Sequence, residues 1–153
     1  MHETGLDNEA KGSISGALSK LLADVYTLYL KTQNFHWNIH GPEFYSLHKL
    51  SEEHYKEMAE AVDEIAERIR GMGFFVEGSM ESFLKLTSIP EDHKVYPKLK
   101  FIEQLIEAHE TVIREARSLG TLADKHADHG TVDMIGRLLL FHEKAVWMLR
   151  STL

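Results

Sequence analysis

Apolar residues recur at three- and four-residue spacing in four long stretches of the chain, and nowhere alternate with the two-residue rhythm of a strand. The first stretch covers 13–38, with Leu18, Leu21, Leu22, Val25, Leu28 and Tyr29 as its stripe. Gly41 and Pro42 interrupt it. Pro42 suits the first turn of a second helix over 42–72, where its missing N–H costs nothing. That helix carries Phe44, Leu47, Met58, Val62, Ile65 and Ile69, with Gly71 and Gly73 as natural stops. The pattern weakens over 74–98, where Gly78, Pro90 and Pro97 punctuate the chain and Ser79 can cap a short helix at 80–86. A third long helix is expected over 99–123 (Phe101, Ile102, Leu105, Val112, Ile113, Leu119), and a fourth over 131–150 (Ile135, Leu138, Leu139, Val146, Leu149). The expected fold is all-α: a four-helix bundle with a short extra helix in a long crossover between helices two and three. An up-down-up-down bundle has no need of about 25 residues at that point.

Composition narrows the chemistry. A length of 153 residues suits a single domain, 1–153, with 1–12 a short flexible N-terminal segment. No window holds the roughly 18 uninterrupted apolar residues of a membrane span, and the first residues lack the basic start of a signal peptide, so the expected address is the cytoplasm. The chain has no cysteine, so any metal must be held by His and carboxylates. Its formal net charge is −7, and Glu3, Asp7 and Glu9 outnumber Lys11 near the start; neither terminus is a basic arm. DNA binding is not expected, because phosphate contacts need clustered Lys and Arg.

The second helix holds two pairs at i,i+4 spacing, His48 with Glu52 and Asp63 with Glu67. Each pair lies on one face about a turn apart, and all four side chains fall within roughly a 100° arc flanking the apolar stripe. Along the helix, Glu52 and Asp63 are roughly 16 Å apart, too far to share one metal site within one chain. A two-fold axis near Glu57 and Met58 resolves this. A second, antiparallel copy of the helix sets residue 48 opposite 67 and residue 52 opposite 63, giving two identical sites per dimer, each split between subunits. Ala59 and Ala66 are small enough for that approach. His36 lies six residues before Pro42 and His48 six after it, so a hairpin brings His36 level with His48. The expected metal site is His36, His48 and Glu52 from one subunit with Asp63 and Glu67 from its partner. Such donors suit Fe(II), and also Zn(II) or Mn(II). The alternative for the acidic pair is a surface salt bridge to Arg68 or Arg70.

The run Asn34-Phe35-His36-Trp37-Asn38-Ile39-His40-Gly41-Pro42-Glu43-Phe44, then Leu47-His48, then Asp63-Glu64-Ile65-Ala66-Glu67-Arg68-Ile69, resembles the signature of the Dps family of ferritin-like proteins. The similarity continues through His142-Glu143-Lys144-Ala145-Val146-Trp147-Met148-Leu149-Arg150 and covers nearly the whole chain. The resemblance implies a ferritin-like bundle. It also implies an inter-subunit ferroxidase centre at the positions of His36, His48, Glu52, Asp63 and Glu67, with space for two irons and zinc as a possible substitute. It further implies a hollow homo-dodecamer that oxidises Fe(II), preferably with hydrogen peroxide, and stores ferric mineral against oxidative damage. Glu52 departs from the pattern, since Asp is commoner there. Trp37 resembles the family tryptophan beside the iron centre, where it would act as a redox neighbour; its alternative role is to cap the core at the hairpin. Asp124, Asp128 and Asp133, with His126 and His129, match the region that lines an iron-entry pore in the family, or form an acidic loop capping a helix. Trp147 is expected to pack between helices, and His40, His54, His109 and His142 to lie at the surface or an interface.

Other functions remain for comparison. An intrasubunit di-iron bundle needs Glu-x-x-His motifs on opposing helices, and none of the ten histidines has a Glu three residues before it. A DNA-condensing protein and a zinc- or manganese-sequestering shell are the alternatives of a different class.

Overall fold

The computed structural model describes residues 3–91 and 94–153, and these form five helices: α1 (Asn8–Asn38), α2 (Phe44–Gly71), α3 (Met80–Leu86), α4 (Lys98–Lys125) and α5 (His129–Arg150). Helix α1 runs antiparallel to α2, as contacts between residues 15 and 72, 29 and 55, and 36 and 48 show. It is also antiparallel to α4, through Phe35 with Phe101 and Lys20 with Glu115. The crossover therefore travels the length of the bundle before α4 begins, and α3 rests on α1 along the way. This is the ferritin-like topology, with the short helix where the sequence predicts it.

Two helix starts differ from expectation. Helix α1 begins at Asn8 because the Asp7 carboxylate accepts the Ala10 amide at 2.7 Å, and Ala10 and Lys11 are already buried. Residues 8–12 thus belong to the bundle rather than to a flexible segment; Met1 and His2 of that segment lie outside the described residues. Helix α2 begins at Phe44, and Pro42 sits in the turn behind Gly41, whose φ of +100° only glycine adopts readily.

The core is a continuous apolar seam from Ile14 and Leu18 through Leu28 and Phe35 on α1. It meets Met58, Ile65 and Ile69 on α2, and Ile102, Leu105 and Val112 on α4. One buried charge pins the crossover. Asp24 has no exposed surface and accepts from the Ser88 amide (2.6 Å), the Thr87 hydroxyl (2.8 Å) and Lys20 (3.2 Å). A buried carboxylate is tolerable only with such partners.

The ends of α2 and α4 use the same stop. After α2, the Phe74 amide donates to the Ile69 carbonyl and the Gly73 amide to Arg70, with Gly73 at φ +96°. After α4, the Asp128 amide donates to Ala123 and the Ala127 amide to Asp124, but here the left-handed residue is Ala127 at φ +56°. This is the Schellman arrangement, which normally selects glycine. Ala127→Gly is expected to stabilise the subunit by about 1 kcal/mol, because a left-handed Cβ costs roughly that much. A thermal melt of the variant checks it; an unchanged or lower midpoint would mean that Ala127 is unstrained.

Candidate metal centre

The hairpin between α1 and α2 sets His36 and His48 face to face. Each of its two imidazoles points Nδ1 at the backbone of the other residue. His36 Nδ1 donates to the His48 carbonyl at 2.8 Å, and His48 Nδ1 to the His36 carbonyl at 2.9 Å. A carbonyl only accepts, so each Nδ1 carries a proton, and in the neutral ring the lone pair is on Nε2. The rings stack with centroids 3.7 Å apart at 17°, Phe44 lies against the His48 ring, and Tyr55 meets His36 edge-on. His36 is buried and His48 half-buried. Fixing ring and tautomer through a carbonyl is the usual outer support of a metal-ligating histidine.

Glu52 lies one turn beyond His48, half-buried, with Lys49 at 3.0 Å from one carboxylate oxygen and Lys56 at 2.8 Å from the other. Hydrogen bonds from Lys56 and Lys49 hold its carboxyl down at about 2. Asp63 and Glu67 are exposed farther along α2 and are not paired with Arg68 or Arg70. Arg68 instead crosses to Asp128 and Thr131, while Arg70 donates to the Phe74 carbonyl and lies over the Phe75 ring. The structure thus brings His36 and His48 together, turns Glu52 one turn farther along α2 toward Lys49 and Lys56, and leaves Asp63 and Glu67 farther along the same helix. Among the described residues of one chain, no three His or carboxylate side chains lie close enough to hold one ion.

Other residues singled out from the sequence fall differently. Trp37 is 63% exposed beside the hairpin, together with Tyr45, so it does not cap the core. Trp147 is 65% exposed and does not pack between helices of its own chain. Asp128 is buried, caps α5 through the Thr131 amide and hydroxyl, and receives Arg68 at 2.6 Å. Burial pushes its carboxyl up, but the bonds from Arg68 and Thr131 outweigh it and hold it below the usual range. Its carboxylate is committed to the fold, whereas Asp124 is exposed and Asp133 is exposed with Arg137 at 3.2 Å.

Three histidines expected at the surface or an interface lie in the core of the subunit. His54 of α2, His109 of α4 and His142 of α5 meet there, and only His40 is exposed as expected. His109 and His142 have no exposed surface, their Nδ1 atoms are 2.8 Å apart, and His54 meets His109 edge-on at 5.9 Å. Burial holds all three well down, with His54 at about 4 and His142 at about 3. A signal existed in the sequence. His54 stands seven residues after Leu47 and four before Met58; His109 and His142 each lie seven residues after a core isoleucine, Ile102 and Ile135.

The ferritin-like domain of the ferritin family model matches residues 15–153. The chain is 40% identical over 149 residues to an uncharacterised low temperature-induced protein of Nostoc sp., spanning 96% of this chain and 83% of that one. It is 33% identical over 148 residues to the DNA protection during starvation protein of Porphyromonas gingivalis, spanning 97% and 93%. Among solved structures, the Dps protein of Vibrio cholerae, a member of a broad superfamily of ferritin-like diiron-carboxylate proteins, superposes with a TM-score of 0.91 at 31% identity over 95% of this chain and 92% of that one. DpsC from Streptomyces coelicolor superposes with a TM-score of 0.96 at 26% identity over 99% and 90%.

Proposed function

Because the chain belongs to the Dps family of ferritin-like proteins, we propose that it is a ferroxidase and iron store whose metal centres are shared between subunits. The observation that carries this reading is the reciprocal bonding of His36 and His48. It turns both Nε2 atoms away from the backbone, with Glu52 one turn farther along α2 and the exposed Asp63 and Glu67 beyond it on the same helix, which supports a centre completed by a second copy.

Fe(II) is the substrate. In the assembled site the two imidazoles and Glu52 of one subunit, with Asp63 and Glu67 of the partner subunit, replace its water. Nitrogen and carboxylate donors of this kind accept both oxidation states. Two Fe(II) give one electron each to hydrogen peroxide; the O–O bond breaks, two protons are taken up, and two waters and two Fe(III) result. Spending both peroxide electrons on two irons keeps hydroxyl radical from being released. The exposed Trp37 stands next to His36 in sequence, placed to intercept stray oxidising equivalents.

We further propose a closed shell of this chain, with ferric mineral inside and the exposed Asp124 and Asp133 lining an entry pore. DNA coating is not part of this reading, since the formal net charge of −7 disfavours phosphate contacts. No described helix is long and apolar enough to cross a membrane.

The test is to add Fe(II) and then peroxide to the purified protein and to follow iron and mass together by size-exclusion chromatography with light scattering. Iron co-eluting with a closed particle of roughly twelve subunits is the expected result. Iron precipitating away from a monomer or dimer contradicts storage.

A further inference from the structure

Of the five proposed ligands, Glu52 alone rests between two cations. Lys49 precedes it by three residues and Lys56 follows by four, so both ammonium groups reach the face that holds Glu52, one from each side. Each carboxylate oxygen has its own lysine, at 3.0 and 2.8 Å. No lysine or arginine is paired with Asp63 or Glu67 among the described residues.

Charge decides what this arrangement does. With its imidazoles in the metal-ligating form, which carries no charge, the half-site of one subunit has one carboxylate and two ammonium groups, sums to a net charge of +1 and repels a divalent cation. Bringing in Asp63 and Glu67 of the partner subunit adds two negative charges and turns the sum to −1. Without the lysines the same half-site would carry −1 alone and attract cations before assembly. We infer that Lys49 and Lys56 are specificity-setting residues that hold Glu52 charge-compensated, so that a divalent cation is retained only where two subunits meet. The inference rests on the inter-subunit site proposed above.

At separations of about 5–6 Å each ammonium is expected to weaken binding of a doubly charged ion by about three- to tenfold, with the smaller factor at higher salt. The test uses Zn(II), which is not oxidised, titrated calorimetrically into the intact oligomer. Lys49→Gln/Lys56→Gln is expected to bind Zn(II) at least about tenfold tighter than the unmodified protein at low ionic strength. The gain should shrink as salt rises toward 0.5 M, where screening acts within about 4–5 Å. Lys49→Arg/Lys56→Arg, which preserves charge, should bind as the unmodified protein does. Both lysines are half to two-thirds exposed at their side chains, so none of these changes touches the core. His48→Ala is the control for the site itself. If it abolishes binding while the double glutamine variant binds with unmodified affinity, the lysine role is overturned and the site stands. If His48→Ala leaves Zn(II) binding intact, the site falls and the inference with it.

Discussion

Asp63→Ala is expected to slow peroxide-dependent Fe(II) oxidation by about a hundredfold or more, while leaving thermal stability within about 0.5 kcal/mol of the unmodified protein. The two halves of that expectation have separate causes. Asp63 is exposed and not paired with Arg68 or Arg70, so its own subunit loses nothing measurable with the carboxylate. In the assembled site the same carboxylate would be a direct ligand, and even outer-shell supports of metal ligands are worth about 10–100-fold. His36→Ala is a poorer probe, because His36 is buried and hydrogen-bonded across the hairpin and its loss weakens the fold as well. Initial rates and a melting curve on one preparation of Asp63→Ala check both halves. A normal rate removes Asp63 from the site.

The second large effect concerns acid. His109 and His142 share one hydrogen bond between Nδ1 atoms, and the Nε2 atom of each is buried with no partner. One ring donates through Nδ1 and leaves a bare Nε2; the other accepts and leaves an unpaired Nε2–H. Burial comes first in depressing both, followed by His142 and His54 acting on His109, and by His54 acting on His142. His54 and Phe141 face the pair, with Lys144 lining the groove beyond. In the unfolded chain each imidazole protonates near 6.5, whereas in the folded subunit protonation waits until about 3 for His142. Between those values the unfolded state binds more protons. Stability is therefore complete above about pH 6.5 and declines as pH falls toward the folded values, by up to about 1.4 kcal/mol per pH unit for each histidine. Against a total of about 5–15 kcal/mol, a loss of this kind removes a substantial share of the subunit's stability in acid. His109→Leu/His142→Leu replaces both partners by apolar groups and should flatten the dependence, at little cost near pH 8. Equal slopes in melts of the two proteins from pH 8 to 4 would assign acid lability elsewhere.

The residues that sequence reading placed well are those whose meaning is local. Equal spacing of His36 and His48 about Pro42 marks a hairpin, and a hairpin sets two rings level whatever the rest of the bundle does. Spacing along one helix likewise shows that Glu52 and Asp63 cannot meet within a chain. Residues whose meaning is tertiary were read less well. His54, His109 and His142 sit on three helices far apart in sequence, and the frequent surface placement of histidine masks their position on apolar faces. Asp128 looks like any loop acid until Arg68 arrives from α2. The early start of α1 was hidden because Ala10, Lys11 and Gly12 make no apolar stripe, although Asp7 is a good cap. The sharp end of α4 was equally hidden, since Ala127 occupies the position that glycine usually announces.

The account stands on a centre divided between subunits, and a mixing experiment reaches that division directly. His48→Ala and Asp63→Ala are each inactive in a split site. When the two are unfolded together and reassembled, a mixed dimer carries one doubly damaged site and one fully intact site. Random pairing makes half the dimers mixed, so about a quarter of the unmodified Fe(II) oxidation rate should return. Recovery near that level, absent when either variant is reassembled alone, is the expected result. No recovery from a mixture shown to contain mixed dimers would contradict a site built from two chains.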